Sequence, residues 1–429
     1  MFKDKHKGQT AYITAKGPSI EYLQREDIGD GIIIAMNESI KKIDELKLDN
    51  EVYSLQVDII CDPHCNASII LHKNKSAKEH DISMQEYYVI DPEKDFNEES
   101  NRMSSILSIE LAQLMGCTKI VMVSFDSYTM GLNNYWLGDG TAGLSETITK
   151  FYLGQVLGLN NFIADNNINV RWFTPLPKRT KKGVKLIIAT PFQDKAGYSP
   201  YIESMVKMVK LLTELTVDYE FWPFDGRSNK DISRNRLLAK FMLSDATDIL
   251  FIDSNMSWNI DGNEAFINII GSPYEVTAGG YPLRYDQELY RLGIDTDDDG
   301  NQVICPKTGM LQGTRCSGGF MRIKRSCIEK MQEAYPETQY LDNVDDKSML
   351  VHNLFENGIH DRYFYDGDYN FCRRWEAIGG KVWIEPRITF GNYGVKEWKG
   401  SYHEFLLSQP GGSNDPARLL TLAKQAEAA

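Results

Sequence analysis

The sequence has few cysteines and no long apolar run, and each scarcity excludes a class of protein. Seven cysteines in 429 residues show no pairing pattern, and an odd number fits a reducing compartment. The longest apolar runs reach about half the length that a membrane span needs. The N-terminal segment MFKDKHKGQT has no apolar signal core. We therefore expect a cytoplasmic protein with no membrane span.

Acidic residues outnumber basic ones, with 60 Asp and Glu against 47 Lys and Arg, so the formal net charge is −13. This balance argues against a general nucleic-acid binder, which needs clustered Lys and Arg for phosphate contacts. The densest basic run, PKRTKKGVK from Pro177 to Lys185, is interpreted as a solvated linker rather than a binding patch. The cluster CDPHC, from Cys61 to Cys65, has no second ligand pair at zinc-site spacing, which favours a chance group of thiols over a metal site.

Strand-like and helix-like segments alternate along the chain. In the first half, TAYIT, GIIIAM and KIVMVS are β-rich, and SSILSIELAQLM has helical spacing. After a hinge near residues 175–183, the strand VKLIIAT precedes a helix whose apolar stripe includes Ile202, Met205 and Val206. This alternation predicts an α/β fold with two Rossmann-like domains, at residues 1–178 and 184–406, and a flexible tail at 407–429.

Two strands of the second half run directly into polar residues. DILFI is followed by Asp253-Ser254-Asn255, and LIIATPF ends in Thr190-Pro191. In open α/β sheets, ligands bind beyond the carboxyl ends of strands, although a plain strand end is the alternative for each. The oxygens of Asp253 and Asn255, two positions apart, would suit a divalent cation that bridges phosphates.

Two further segments have a structural and a functional interpretation. Arg234 and Asn235 begin a predicted helix, where backbone N–H groups favour an anionic ligand. Gly318-Gly319 precedes a strand, where glycine either permits a turn or lets a substrate approach the backbone.

A third such segment is acidic. Asp366 and Asp368 precede the aromatic-rich helix YNFCRRW. A carboxylate at a helix start is usually a cap, and the same location could hold a catalytic base.

In this order, the segments resemble nucleotide-sugar-dependent glycosyltransferases of the GT-A fold, closest to a subgroup common in phages and bacteria. The resemblance spans about Val184 to Leu406 and includes GGFM, DYNFCRRWEAIGGKVWIEP and GNYG. It implies a mixed, mostly parallel sheet and a divalent metal, Mn²⁺ or Mg²⁺. It also implies that Asp253 and Asn255 hold the metal and the donor diphosphate, and that Asp368, beside Asp366, is the catalytic base or acceptor contact. The other expected donor contacts are Thr190, Pro191, Arg234, Asn235 and Ser254, and the expected acceptor contacts are Gly318, Gly319 and Trp375.

Two positions depart from the family pattern. Asn255 stands where a second acid is expected, and Asn392 stands where the family often has a metal-binding histidine. His403, in GSYHEF, could supply a ligand, although a surface histidine is the plainer interpretation. These departures put the metal dependence in doubt.

The first half resembles the Rossmann-like domain of bacterial sialyltransferase-type enzymes, through YITAKGPSIEYL, IIIAMNESI and SIELAQLMGCTKIVMVSFDSY. By that resemblance, Gly17-Pro18-Ser19 would meet a nucleotide or phosphate, with Asn37 and Asp126 on the same side. The domain could be catalytic, bind the acceptor or be a structural relic.

The leading functional hypothesis is a glycosyltransferase, and the alternative is a nucleotide- or carbohydrate-binding protein with a decayed site. The acceptor would be a glycan or a hydroxymethylated base of phage DNA, and a homo-oligomer is possible. The acidic run DTDDDGN, from Asp295 to Asn301, begins like a calcium loop, but Pro306 replaces the final Glu and favours a solvated loop.

Overall fold

The computed structural model of the chain describes residues 2–57, 66–72, 87–90, 103–129, 134–136, 141–143, 146–176, 183–192, 197–225, 229–260, 264–344, 347–394 and 397–408. The cysteine cluster at 61–65, most of the basic run at 177–185 and the tail after residue 408 lie outside the described residues. The chain divides into two compact units, Met1–Lys178 with Leu341–Leu350, and Arg179–Tyr340 with Val351–Ala429. None of the helices in the described ranges combines the length and apolarity that a membrane span requires.

The first unit contains a seven-stranded sheet in the order β5-β4-β3-β2-β1-β6-β9, and all its neighbouring strands are parallel. These strands are β1 (Thr10–Thr14), β2 (Ile32–Met36), β3 (Glu51–Gln56), β4 (Ala67–His72), β5 (Tyr87–Ile90), β6 (Lys119–Val123) and β9 (Val170–Phe173). A separate hairpin is formed by β7 (Asn134–Trp136) and β8 (Thr141–Gly143). The helices are α1 (Ser39–Leu46), α2 (Ser104–Leu114), α3 (Asp126–Thr129) and α4 (Glu146–Asp165).

Both faces of this sheet are buried, which explains its continuous apolar strands. Alternate residues of β2 enter different cores: Ile32 and Ile34 pack with α2 on one side, and Ile33 and Ala35 pack with α1 on the other. The predicted α/β class with a parallel sheet is confirmed for this unit.

The second unit is built on an eight-stranded sheet in the order β11-β10-β12-β17-β14-β22-β16-β15. The strands are β10 (Lys185–Phe192), β11 (Asp218–Asp225), β12 (Asp248–Ile252), β14 (Val276–Gly279), β15 (Gly293–Ile294), β16 (Leu311–Arg315), β17 (Phe320–Lys324) and β22 (Val382–Glu385). The helices are α5 (Ser199–Glu214), α6 (Lys230–Met242), α7 (Glu264–Gly271), α8 (Arg325–Ala334), α9 (Gly367–Ala377) and α10 (Tyr402–Ser408).

Shorter strands form three smaller sheets. β13 (Met256–Trp258), β23 (Thr389–Tyr393) and β24 (Glu397–Ser401) make one of them. The other two are the hairpins of β18 (Gln339–Val344) with β19 (Lys347–His352) and of β20 (Gly358–His360) with β21 (Tyr363–Tyr365).

The large sheet of the second unit is mixed, as expected, but fewer of its neighbouring strand pairs are parallel than the resemblance implied. Within the described residues, three neighbouring pairs are parallel and four are antiparallel. Strand β17 runs antiparallel to β12, and Phe320 lies opposite Ile252. Because of this pairing, the residues that precede β17 meet the residues that follow β12 at one edge of the sheet.

Helices cover both faces of this sheet. Leu237 and Phe241 of α6 pack on one face, and Met205 and Met208 of α5 pack on the other. The predicted stripe of α5 is wrong at two positions, because Ile202 and Val206 are exposed. The buried face is turned toward Tyr201, Met205, Met208 and Leu212, since Tyr201 reaches into the core to bond Thr190.

Candidate active site

A cavity of about 650 Å³ lies in the second unit, beyond the carboxyl end of β12. Its lining comes from the start of α6, the end of β12, the start of β13, the segments after β14 and before β17, the start of α9, and β23. The described lining residues are Lys230, Asp231, Arg234, Asp253, Asn255, Met256, Tyr281, Leu283, Arg284, Tyr285, Arg291, Ser317, Asp366, Asp368 and Asn392. Its size and its convergent polar groups are those of a small-molecule site.

Arg234 is the buried centre of this cavity. Its Nη2 donates to Asp253 Oδ1 at 3.0 Å, and its Nη1 donates to Asp368 Oδ1. The Asn229 side chain caps α6 by accepting from the backbone N–H of Asp231 and of Ile232. This cap fixes where the helix begins and so holds Arg234, in the next turn, against both acids.

Asp253 extends from the end of β12 into a strongly cationic environment. Its Oδ2 accepts from Lys230 Nζ at 2.7 Å, and its Oδ1 accepts from Arg234. Its backbone N–H donates to the Gly319 carbonyl oxygen at 3.0 Å. Burial alone would raise the pKa of Asp253, but Lys230 and Arg234 outweigh it and hold this pKa at about 2.

Asp368 lies in the first turn of α9 and makes tertiary contacts. Its Oδ1 accepts from Arg234 and its Oδ2 accepts from the Gly318 backbone N–H at 2.8 Å. Burial raises the pKa of Asp368, although Arg234 and the Gly318 N–H act in the opposite direction. The cap of α9 is instead Asp366, which accepts from the Tyr369 N–H at 3.1 Å and pairs with Arg291.

The two glycines before β17 allow side chains to approach the backbone closely. A Cβ on Gly318 would lie 2.5 Å from Asp368 Oδ1 and 2.9 Å from Arg234 Cζ. A Cβ on Gly319 would lie 2.5 Å from the hydroxyl of Tyr281, which accepts from the Gly319 N–H at 3.1 Å. Glycine stands at both positions because the side chains of Asp368, Arg234 and Tyr281 occupy the space that a Cβ would need.

Three of the predicted contacts lie away from the cavity. Thr190 is fully buried and bonds the Tyr201 hydroxyl at 2.7 Å. Asn235 bonds the Asn353 side chain at 2.8 Å and accepts from the Phe355 N–H at 2.9 Å. Trp375 is 2% exposed and donates to the Lys381 carbonyl oxygen at 3.1 Å. These three side chains hold structural elements in place, and their assignment to donor or acceptor stays a prediction.

The remaining predicted donor contacts, Pro191 and Ser254, are not among the described lining residues of the cavity. Pro191 belongs to the end of β10, and the carbonyl oxygen of Ser254 accepts from the Tyr198 N–H at 3.3 Å. His403 is the second residue of α10, and its N–H donates to the Pro386 carbonyl oxygen at 3.0 Å. It is not among the described lining residues of the cavity.

The side-chain oxygens of the cavity do not form a ligand set for a divalent metal. Lys230 and Arg234 occupy both carboxylate oxygens of Asp253. Asn392 Oδ1 already accepts from Asn255 Nδ2 at 2.8 Å and from Arg284 Nε at 2.9 Å. Within the described ranges, no group of three or more His, Cys, Asp or Glu side chains could hold a metal ion. The expected Mn²⁺ or Mg²⁺ site at Asp253, Asn255 and His403 is thus not formed by these side chains.

Sequence reasoning missed several basic and aromatic residues of the cavity. Lys230 lies one helical turn before Arg234 and lines the same cavity. Because residues four apart share a helix face, the sequence spacing could have predicted that both side chains reach one site. Tyr281, Arg284 and Arg291 come from the long connection after β14, where no periodic pattern marked them.

In the first unit, the predicted nucleotide-binding turn is occupied by a carboxylate of the protein itself. The N–H and the hydroxyl of Ser19 both donate to Asp126, each at 2.6 Å. A Cβ on Gly17 would lie 2.5 Å from the Ser124 carbonyl oxygen. Burial raises the pKa of Asp126 despite its bonds to Ser19. An anion at this turn would have to displace Asp126.

The other two candidate features of the sequence form local structure. Asn37 has a φ of 48°, and its Oδ1 accepts from the Val57 N–H at 2.9 Å. In the acidic run, Asp297 Oδ1 accepts from the backbone N–H of Asp299 at 3.1 Å and of Asn301 at 2.7 Å. Asp297 is exposed and closes its own turn, as a solvated loop would.

Comparisons with known proteins give only remote similarities. No family model and no curated protein matches the sequence. A protein from STIV is similar at a TM-score of 0.31 with 15% identity, over 51% of this chain and 90% of that one. A glycosyltransferase involved in glycosylation of the major capsid of PBCV-1 has a TM-score of 0.22 with 8% identity, over 36% and 66% of the two chains. A mutant Drosophila β1,4-galactosyltransferase 7, in complex with manganese, UDP-Gal and xylobiose, has a TM-score of 0.28 with 14% identity, over 54% and 77%.

Proposed function

We propose that the second unit transfers a sugar from a nucleotide-sugar donor to an acceptor hydroxyl group. The observation that carries this proposal is the convergence of Asp253 and Asp368 on Arg234, in a cavity beyond the carboxyl end of β12. A sheet edge of this kind is where α/β folds bind nucleotides. The sequence motifs from Val184 to Leu406 point to the same chemistry.

In the proposed reaction, the acceptor oxygen forms a bond to the anomeric carbon of the sugar. The bond from that carbon to the diphosphate breaks, and its electron pair leaves with the nucleoside diphosphate. Asp368 takes the proton of the acceptor hydroxyl. Its raised pKa makes its carboxylate a stronger base than an ordinary aspartate.

Arg234 and Gly318 position this base. The guanidinium and the backbone N–H each hold one oxygen of Asp368, which fixes the plane of the carboxylate. A base held in one orientation loses little entropy when the acceptor arrives, and this is the main contribution a rigid scaffold makes to catalysis.

The charge of the chain favours an uncharged acceptor. Among the described lining residues, the four carboxylates of Asp231, Asp253, Asp366 and Asp368 are balanced by four basic side chains, but the chain as a whole carries −13. A phosphodiester backbone, with one negative charge per nucleotide, would be repelled by that net charge. We therefore propose a glycan hydroxyl as the acceptor rather than a modified base of DNA.

A panel of nucleotide sugars tests the function. The full chain is incubated with UDP-, GDP-, CMP- and dTDP-linked sugars and with short oligosaccharides, and the released nucleotide is quantified. We expect release from at least one donor that rises when an acceptor is present. Saturable binding without release would favour a protein that only binds nucleotides or carbohydrates.

A further inference from the structure

Arg284 is held at the mouth of the cavity by a neutral side chain. Its Nε donates to Asn392 Oδ1 at 2.9 Å. Asn392 is itself fixed, because its Nδ2 donates to the Pro282 carbonyl oxygen at 3.0 Å and its Oδ1 also accepts from Asn255 at 2.8 Å. Asn255 and Asn392, the two departures from the metal-binding pattern, therefore form a clamp for a guanidinium.

Among the described residues, no acid pairs with Arg284. Four of the described lining residues are basic, and three of them have carboxylate partners: Lys230 with Asp253, Arg234 with Asp253 and Asp368, and Arg291 with Asp366. Within the described ranges, the only hydrogen-bond partner of Arg284 is the amide of Asn392. Its two terminal nitrogens remain available to a ligand.

The strand that carries Asn392 also leaves space for Arg284. A Cβ on Gly394 would lie 3.3 Å from Arg284 Nη1 and 3.4 Å from Cδ, which is closer than most real contacts. The segment GNYG thus supplies both the amide that orients the guanidinium and the glycine that makes room for it.

We propose that Arg284 takes the place of the divalent cation and binds the diphosphate of the donor, so that the site works without a metal. This inference rests on the proposed sugar transfer. A guanidinium presents two parallel N–H groups that match the oxygens of a phosphate. As the bond from the anomeric carbon breaks, negative charge grows on the departing diphosphate, and a fixed cation stabilises it.

Calorimetry with inorganic pyrophosphate tests the proposal without knowledge of the sugar. The full chain is titrated in EDTA and again with excess Mn²⁺. We expect binding in EDTA, an affinity that Mn²⁺ changes less than threefold, and a loss of at least tenfold in Arg284→Gln. Arg284 is exposed, so its substitution should leave the fold intact. The matched control is Arg171→Gln, the same change at an exposed position of the first unit, which should bind as the wild type does.

The outcomes separate this inference from the function on which it rests. Pyrophosphate binding only with Mn²⁺, or unchanged binding in Arg284→Gln, overturns the role of Arg284. Cleavage of a nucleotide sugar that requires Mn²⁺ overturns it as well, while leaving the transferase in place. Arg284-dependent pyrophosphate binding in EDTA, with no cleavage of any donor, supports the anion site and contradicts the transferase.

Discussion

Arg234 and Asp368 form a buried ion pair although 134 positions separate them in the chain. The same guanidinium bonds Asp253, so one side chain links the end of β12 to the first turn of α9. Removing Arg234 would leave two buried carboxylates without this cation. We expect Arg234→Met to lower the free energy of unfolding by about 3–5 kcal/mol, as measured in denaturant.

A double substitution distinguishes this ion pair from simple loss of packing. If Arg234 and Asp368 interact, Arg234→Met with Asp368→Asn should cost less than the sum of the two single changes. Additive effects would show that the pair does not contribute to stability.

The depressed pKa of Asp253 predicts a loss of stability in acid. Its pKa is about 2, against an ordinary value of 3.8, so folding favours the charged form. That contribution, about 2 kcal/mol, is complete above pH 4 and is lost as the pH falls toward 2. The unfolding free energy of the wild type should therefore fall over this range. Asp253→Asn should reduce the change of the unfolding free energy with pH. An identical pH profile in this variant would show that the ion pairs of Asp253 do not cause the loss of stability in acid.

Gly318 is expected to tolerate no side chain. In Gly318→Ala, the new methyl group would overlap with Asp368 and Arg234, so the carboxylate of Asp368 would move. We expect a loss of about 1–3 kcal/mol in stability and a clear fall in transfer rate. Gly271→Ala, at the end of α7 with no atom closer than 4.0 Å, is the control and should be neutral or slightly stabilising. Normal activity in Gly318→Ala would argue against a fixed Asp368.

The substitution Asn255→Asp distinguishes a site that binds the diphosphate through a divalent metal from one that binds it through Arg284. An acid here adds a ligand for a dication, so Mn²⁺ affinity should rise. It also places negative charge against Asn392 Oδ1 and near Arg284, so pyrophosphate binding in EDTA should weaken. Both affinities can be measured by calorimetry on the same sample. Tighter pyrophosphate binding in EDTA would contradict the clamp.

The sequence predicted the strands and their polar ends because each rests on local pattern. An apolar run that stops at Asp253 marks a strand end, and helical spacing marks α6 and α9. Which acid of the pair Asp366 and Asp368 caps the helix could not be predicted, because it depends on where the chain leaves β21.

Contacts between distant segments could not be predicted from the local sequence pattern. Asn235 stands in a motif position, yet its partner Phe355 lies 120 positions further along the chain. Arg284 follows no periodic element, so only the fold brings it to Asn392. The neutral residues at 255 and 392, which looked like lost ligands, are explained by this contact.

The most direct test of the proposed function is the transfer rate of Asp368→Asn on the donor that the panel identifies. An amide cannot take the acceptor proton, so the rate should fall by about two powers of ten or more, while donor affinity changes little. Asp298→Asn, the same change in an exposed loop, is the control. A wild-type rate in Asp368→Asn would contradict the account, because Asp368 would then not be the base.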